Sequence, residues 1–237
     1  MPTEPSSYNF EFKSSKSMQK FLCEFIGTYA LVFFAAGAVM IDVITGGTLG
    51  PIGSGIISGL VVTAIIYTFG YISGAHVNPA LSITAALIGH LHWRLLPGYI
   101  IAQMAGSALA GLSLLWLLGN HADIGANLPN TELDISLGAI ILIEFFLSFF
   151  LMLVVASVGL DKRSHGPLAG IAVGSVVAIE VMLMGPIAGA AMNPARAFGP
   201  YLARGDFDTY WIYIIAPIAG MITGGFVYRL THNQKIN

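Results

Sequence analysis

The stretch Gly70-Tyr-Ile-Ser-Gly-Ala-His-Val-Asn-Pro-Ala80 returns 115 residues later as Gly185-Pro-Ile-Ala-Gly-Ala-Ala-Met-Asn-Pro-Ala195. At the same offset Gly55, Ile56, Gly59, Val61 and Val62 match Gly170, Ile171, Gly174, Val176 and Val177. Tyr99-Ile-Ile-Ala102 matches Tyr213-Ile-Ile-Ala216, and Glu24-Phe25 echoes Glu144-Phe145. The chain is a duplication of one unit.

Hydropathy says what the unit contains. Of 237 residues, 56% are hydrophobic and only 9% charged, which is not the balance of a soluble domain. The mean hydropathy is +0.79. No Asp, Glu, Lys or Arg occurs between Asp42 and Arg94, and Phe25 to Ile41, Leu95 to Ala122 and Thr209 to Tyr228 are equally free of charge. Several of these runs can each cross a bilayer core, which takes about 20 apolar residues in helical form. The pattern predicts long helices near 21–41, 54–71, 95–118, 137–158, 168–185 and 211–230, with two short apolar pieces beginning at Asn78 and Asn193. Glycines inside the apolar runs, among them Gly55, Gly59, Gly170 and Gly174, fall at the spacing that lets helix backbones approach closely in lipid.

The expected fold is therefore an all-α membrane protein of six transmembrane helices plus two re-entrant half-helices. One channel domain spans residues 21–230 as repeats of about 21–118 and 137–230, flanked by tails 1–20 and 231–237. Lys13, Lys16, Lys20, Arg94, Lys162, Arg163, Arg229 and Lys235 sort to one side, which the positive-inside rule makes cytoplasmic, with both termini. Ser14, Ser15 and Ser17 among lysines offer a phosphorylation site, although a disordered tail is the favoured reading of residues 1–20. The first apolar run is too long for a secretory leader and is expected to stay as a membrane helix. Cys23, the single cysteine, excludes an internal disulfide and a multi-thiolate metal cluster.

An odd number of spans per unit inserts the second copy upside down relative to the first, so the halves are related by an axis in the membrane plane. The Asn-Pro-Ala tripeptides at 78–80 and 193–195 then approach the midplane from opposite faces. Asn is a strong helix N-cap and Pro fits the first helical position, so each tripeptide reads as a helix start. Irregular backbone at that depth is tolerated only where it is buried in protein or lines a wet cavity. The residues leading into Asn78 and Asn193 must be irregular, which makes the carbonyls of Gly74, Ala75, His76, Gly189 and Ala191 candidate acceptors along a pore. Each of Asn78 and Asn193 can cap its helix, begun by Pro79-Ala80 or Pro194-Ala195, with its oxygen and present its NH2 group to the lumen. Two facing helix N-termini place about half a positive charge each at the pore centre, which repels cations and interrupts a proton-conducting water chain. Arg196, at membrane depth, should face that pore rather than pair with Asp206 or Asp208; Arg204 suits that pairing better. Glu24 and Glu144, at equivalent positions, are expected to accept hydrogen bonds from the re-entrant backbone.

The paired tripeptides, the duplication and Arg196 together resemble the aquaporin superfamily, the major intrinsic proteins, over about residues 20–230. The resemblance implies a homotetramer with a pore in every subunit, and a selectivity filter of four positions on the outer side of the tripeptides. Counted as in family members, these are Ser58, Val181, Ala190 and Arg196. Water-selective members usually carry bulky aromatic and His side chains at the first two, so Ser58 and Val181, with Ala190, imply a wider and less polar filter. The stretch from Met184 to Arg196 is similar to glycerol facilitators and nodulin-like intrinsic proteins, and Leu168 to Gly174 and Trp211 to Ile214 to the nodulin-like group. Two departures stand out: Ala197 where glycerol facilitators usually have Asp, and Glu180 where the nodulin-like group often has Asn.

The expected function is passive passage of water and small uncharged solutes such as glycerol, urea or undissociated metalloid acids, without ions or protons, in the cell membrane. The alternatives are a strictly water-selective pore, a proton-coupled transporter using Glu180, and a closed junction protein. Glu180 is either a pH-sensitive gate or a neutral acid at a helix interface. The chain has no HExxH, no GxSxG and no clustered metal ligands, so no enzyme, metal or cofactor is expected. The expected partners are membrane lipid, other copies of the chain and the permeants, and not nucleic acid.

Overall fold

The computed structural model describes residues 8–161 and 166–232, with side chains from residue 16 onward. Long helices are α1 (Tyr8–Ile44), α2 (Gly50–Ser73), α4 (Leu96–Leu118), α5 (Leu137–Val155), α6 (Ala169–Ala188) and α8 (Ile212–Thr231). The short helices α3 (Pro79–Leu87) and α7 (Pro194–Arg204) begin at the two tripeptides. Six of the described helices are long and apolar enough to cross a membrane, and no strand occurs among the described residues. The predicted architecture is present, with shifted boundaries. Helix α2 starts at Gly50 rather than 54, because Pro51 fits the first turn and the Asp42 carboxylate accepts from Leu49 N (2.7 Å) and Gly50 N (2.8 Å). Residues 8–20, expected as a disordered tail, continue α1 as helix. No Pro or Gly interrupts Tyr8 to Ile26, so an already nucleated span extends backward at little cost. Helix α5 ends in a wide turn with π-type bonding over Ala156–Leu160. The side chains of Lys13, Ser14 and Ser15, and the residues Lys162, Arg163 and Lys235, lie outside the described part.

The duplication is visible in packing. Helix α1 lies on α4 as α5 lies on α8, and α2 crosses α6 between the halves. That crossing is through Gly59 and Gly174, repeat equivalents: a methyl on either would fall on the other's carbonyl. Gly106 against the Phe25 carbonyl and Gly220 against the Phe145 carbonyl make the matching contact inside each half. Each half-helix packs on the last span of the opposite half, α3 on α8 and α7 on α4. The polar side chains Glu24, Gln103, Glu144 and Ser148 are fully buried, while Leu60, Ile101, Trp116 and Leu183 face outward, the distribution of a bundle whose solvent is lipid.

Candidate functional site

The two re-entrant loops share one backbone conformation. Gly74, Ala75 and Val77 have φ of 88°, 47° and 43°, and Gly189, Ala190 and Met192 have 89°, 47° and 54°. Left-handed conformation is unfavourable for alanine and more so for the β-branched Val77, so the surroundings must over-determine it. They do so with acids. Glu24 accepts from His76 N (2.9 Å), Val77 N (2.6 Å), Ser73 Oγ (2.7 Å) and Gln103 Nε2 (2.8 Å). Glu144 accepts from Ala191 N (2.9 Å) and Met192 N (3.0 Å), the equivalent amides of the other half. Tyr99 and Tyr213 finish the symmetry by donating to the carbonyls of Ser73 (2.7 Å) and Ala188 (2.9 Å).

Asn78 and Asn193 are extended N-caps whose side-chain oxygens accept from Ala80 N and Ala195 N, each at 2.9 Å, with Pro79 and Pro194 in the first turn. Their NH2 groups are less free than expected. Asn78 Nδ2 donates to Met192 O (2.9 Å) and Asn193 Nδ2 to Val77 O (2.8 Å), a reciprocal link between the halves. Asn78 Nδ2 also lies 4.0 Å from Met221 Sδ. Each amide therefore spends one N–H on locking the opposite loop. Both side chains still line the central cavity.

That cavity, about 380 Å3, is lined by Gly74, Ala75, His76, Asn78, Ala191 and Asn193 among others. A second one, about 280 Å3, lies toward the connection between α4 and α5 and is bordered by Gly189. Ser58, Val181, Ala190 and Arg196 line both, so the four predicted filter positions sit where the two cavities meet. Gly189, predicted as a pore carbonyl, is partly committed: its oxygen accepts from Asn127 Nδ2 at 2.6 Å.

Arg196 is held by neutral partners. Its Nη1 donates to Asn127 Oδ1 (2.9 Å) and Gly125 O (3.2 Å), and Nη2 to Gly125 O (3.2 Å). Arg204 takes the ion pairs instead, with Asp206 at 3.0 Å and Asp123 at 3.3 Å. Asn127 and Gly125 escaped the sequence reading, which weighed the outer connection only by charge. Asn130, from the same connection, donates to Pro186 O (3.0 Å), and the buried Ser107 joins α4 to α7 through Ala195 O and Gly199 N. The succession of uncharged polar, Gly and Pro residues in Gly125-Ala-Asn-Leu-Pro-Asn130 was the available signal, and a weak one. Glu180 lines neither cavity; both its oxygens are buried without a partner among the described residues.

A family model described as major intrinsic protein matches residues 11–228. The chain belongs to the major intrinsic protein family. It is 44% identical to "Putative aquaporin NIP4-1" of Arabidopsis thaliana over 212 residues, covering 90% of this chain and 74% of the relative. To "Probable aquaporin NIP-type" of Nicotiana alata it is 42% identical over 231 residues, covering 95% and 83%. Among solved structures, that of the aquaglyceroporin from Plasmodium falciparum superposes with a TM-score of 0.78 at 26% identity, over 90% of this chain and 95% of the other. As a member of the major intrinsic proteins, the chain is an integral membrane channel and not an enzyme.

Proposed function

We propose that this protein is a passive channel for water and small uncharged solutes, glycerol, urea or undissociated metalloid acids among them, that excludes ions and protons. The observation that carries the reading is the meeting place of the two cavities, where Arg196 is the only large side chain of four and Ser58, Val181 and Ala190 leave room for a solute wider than water. Exclusion of cations would rest on three positive features: the N-termini of α3 and α7 and the guanidinium, which has no carboxylate partner among the described residues. The likeness to an aquaglyceroporin supports the wider filter. Glu180 stands outside both cavities, which tells against a proton-coupled cycle through it. The same reading assigns the cell membrane, cytoplasmic termini and a homotetramer with a pore in every subunit.

The test is stopped-flow light scattering on proteoliposomes under separate water, glycerol and urea gradients, with a proton-sensitive dye inside and Arg196→Ala alongside. Rapid water flux with solute uptake and no proton leak is expected for the native chain, and a measurable proton or cation leak for the variant. Water flux alone in the native chain would overturn the wide filter, and uptake driven by a pH gradient would overturn the passive channel.

A further inference from the structure

Residues 122–125, in the connection between α4 and α5, run left-handed without a break. Ala122, Asp123, Ile124 and Gly125 have φ of 49°, 50°, 57° and 65°. A single such residue is uncommon outside glycine, and three in succession, one of them the β-branched Ile124, make an unfavourable segment that its surroundings must hold. Two anchors lie inside the protein. Ile124 is fully buried in one apolar cluster with Val32, Ala36, Met40, Ala110 and Leu114, and a methyl on Gly125 would fall on the Ala36 carbonyl oxygen. The run ends on an atom the filter uses, because Gly125 O accepts from both terminal nitrogens of Arg196.

Two further holds come from α7, the helix that also carries Arg196. In its last turn Arg204 Nη2 lies 3.3 Å from Asp123 Oδ1 and 3.0 Å from Asp206 Oδ2, and the guanidinium carbon sits 5.6 Å from the centre of the Tyr201 ring. Tyr201 OH in turn donates to Asn127 O at 2.9 Å. Helix α7 therefore grips the connection at Asp123 and at Asn127, on either side of the carbonyl that holds Arg196. The Arg204 side chain is 17% exposed and that of Asp123 53%, so the pair adds little to the stability of the whole fold. Its position gives it a local effect instead. Asp123 lies inside the strained run, where a modest bias decides whether the turn keeps its left-handed form or relaxes and withdraws the Gly125 carbonyl.

We propose that Arg204 is a positioning residue for the filter: its ion pair with Asp123 holds the left-handed run and, through Gly125 O, the place of the Arg196 guanidinium. This rests on the neutral-solute channel and the four-residue filter proposed above. Arg204→Gln, Arg204→Lys, Asp123→Asn, the Arg204→Gln/Asp123→Asn double variant and the control Asp206→Asn are compared for glycerol and water permeability in proteoliposomes and for thermal unfolding in detergent. Asn accepts a left-handed φ as Asp does, so Asp123→Asn removes the charge and leaves the backbone preference. Arg204→Gln and Asp123→Asn should each raise the glycerol-to-water ratio by roughly two- to fivefold, the range of one exposed ion pair, and the double variant should rise no further than either alone. Arg204→Lys and Asp206→Asn should stay near native, and the unfolding temperature should hold in all of them. Adding Ala122→Gly to Arg204→Gln should bring the ratio back toward native, because glycine takes the left-handed form without steric cost. A native ratio in both Arg204→Gln and Asp123→Asn, additive rises in the double variant, or a ratio that changes only where the unfolding temperature falls would overturn the brace while leaving the channel standing. A native chain that passes water and no glycerol would remove the wide filter and the brace with it.

Discussion

Asn127 should govern how far the filter opens. It is 3% exposed, and its side chain makes two bonds at once, accepting from Arg196 Nη1 at 2.9 Å and donating to Gly189 O at 2.6 Å. Truncation in Asn127→Ala removes both and keeps the backbone carbonyl that accepts from Tyr201 OH at 2.9 Å. Arg196 is left with Gly125 O alone, at 3.2 Å from each terminal nitrogen. A hydrogen bond to a charged group contributes about 1.5–3 kcal/mol, so the held position of the guanidinium should lose roughly 10- to 100-fold in population against its alternatives. The glycerol-to-water permeability ratio, read by stopped-flow scattering, should rise severalfold. Asn127→Asp separates the two bonds, because a carboxylate still accepts from Arg196 but has nothing to donate to Gly189; its ratio should stay near native. A glycerol-to-water ratio in Asn127→Ala within twofold of native, with correctly assembled protein, would refute the idea that this bond sets the width.

Five further substitutions test the frame around the pore. Glu144→Gln keeps one acceptor but turns an NH2 group toward the other of Ala191 N and Met192 N, and should destabilise by about 2–3 kcal/mol with loss of water flux; Glu24→Gln, which leaves two of its four donors facing an NH2 group, should cost more, both read as thermal unfolding in detergent. Gly199→Ala places a methyl on the Ser107 carbonyl and should abolish monodisperse protein, whereas Gly185→Ala, whose nearest neighbour is Val181 Cγ1 at 3.7 Å, should assemble normally. Glu180→Met replaces a buried, unpartnered carboxyl by a side chain of similar length and should be neutral or raise stability by about 1–3 kcal/mol in the same unfolding assay; a fall of that size would mean that Glu180 has a partner the protein alone does not supply.

What could be read from the sequence was whatever the duplication repeats. The tripeptides, the irregular segments before them, Glu24 with Glu144, and the six spans are each present twice or follow from uninterrupted hydropathy, and a second copy turns a weak motif into a strong one. Arg196 was readable for the opposite reason, as a lone charge in an apolar segment whose burial demands an explanation. What resisted were partnerships between residues distant in sequence. Asn127 and Arg196 are 69 residues apart and Ser107 and Ala195 are 88 apart, and neither Asn127 nor Ser107 carries charge or periodicity to mark it. The misplaced start of α2 has a similar cause, since its N-terminal amides are satisfied by Asp42 from the preceding helix and not by a capping side chain of its own.

The two halves differ where the pore needs them to. The first re-entrant loop is braced by helices: Glu24 from α1 and Gln103 from α4 converge on it, and Ser82 adds contacts to His76 and Gln103. At the equivalent of His76 the second loop has Ala191, and beyond Glu144 and Tyr213 much of its bracing comes from the connection between α4 and α5, through Asn127 to Gly189 and Asn130 to Pro186. Ala190 and Arg196 belong to this second loop and its helix. If Ser58, Val181, Ala190 and Arg196 form the filter proposed above, the three small side chains set only the largest opening it can have, and the grip of Gly125 and Asn127 on the guanidinium should set how much of it is used. Two proteins with the same four filter residues and different outer connections should pass different solutes, and exchanging residues 122–130 between them should move the preference with the loop.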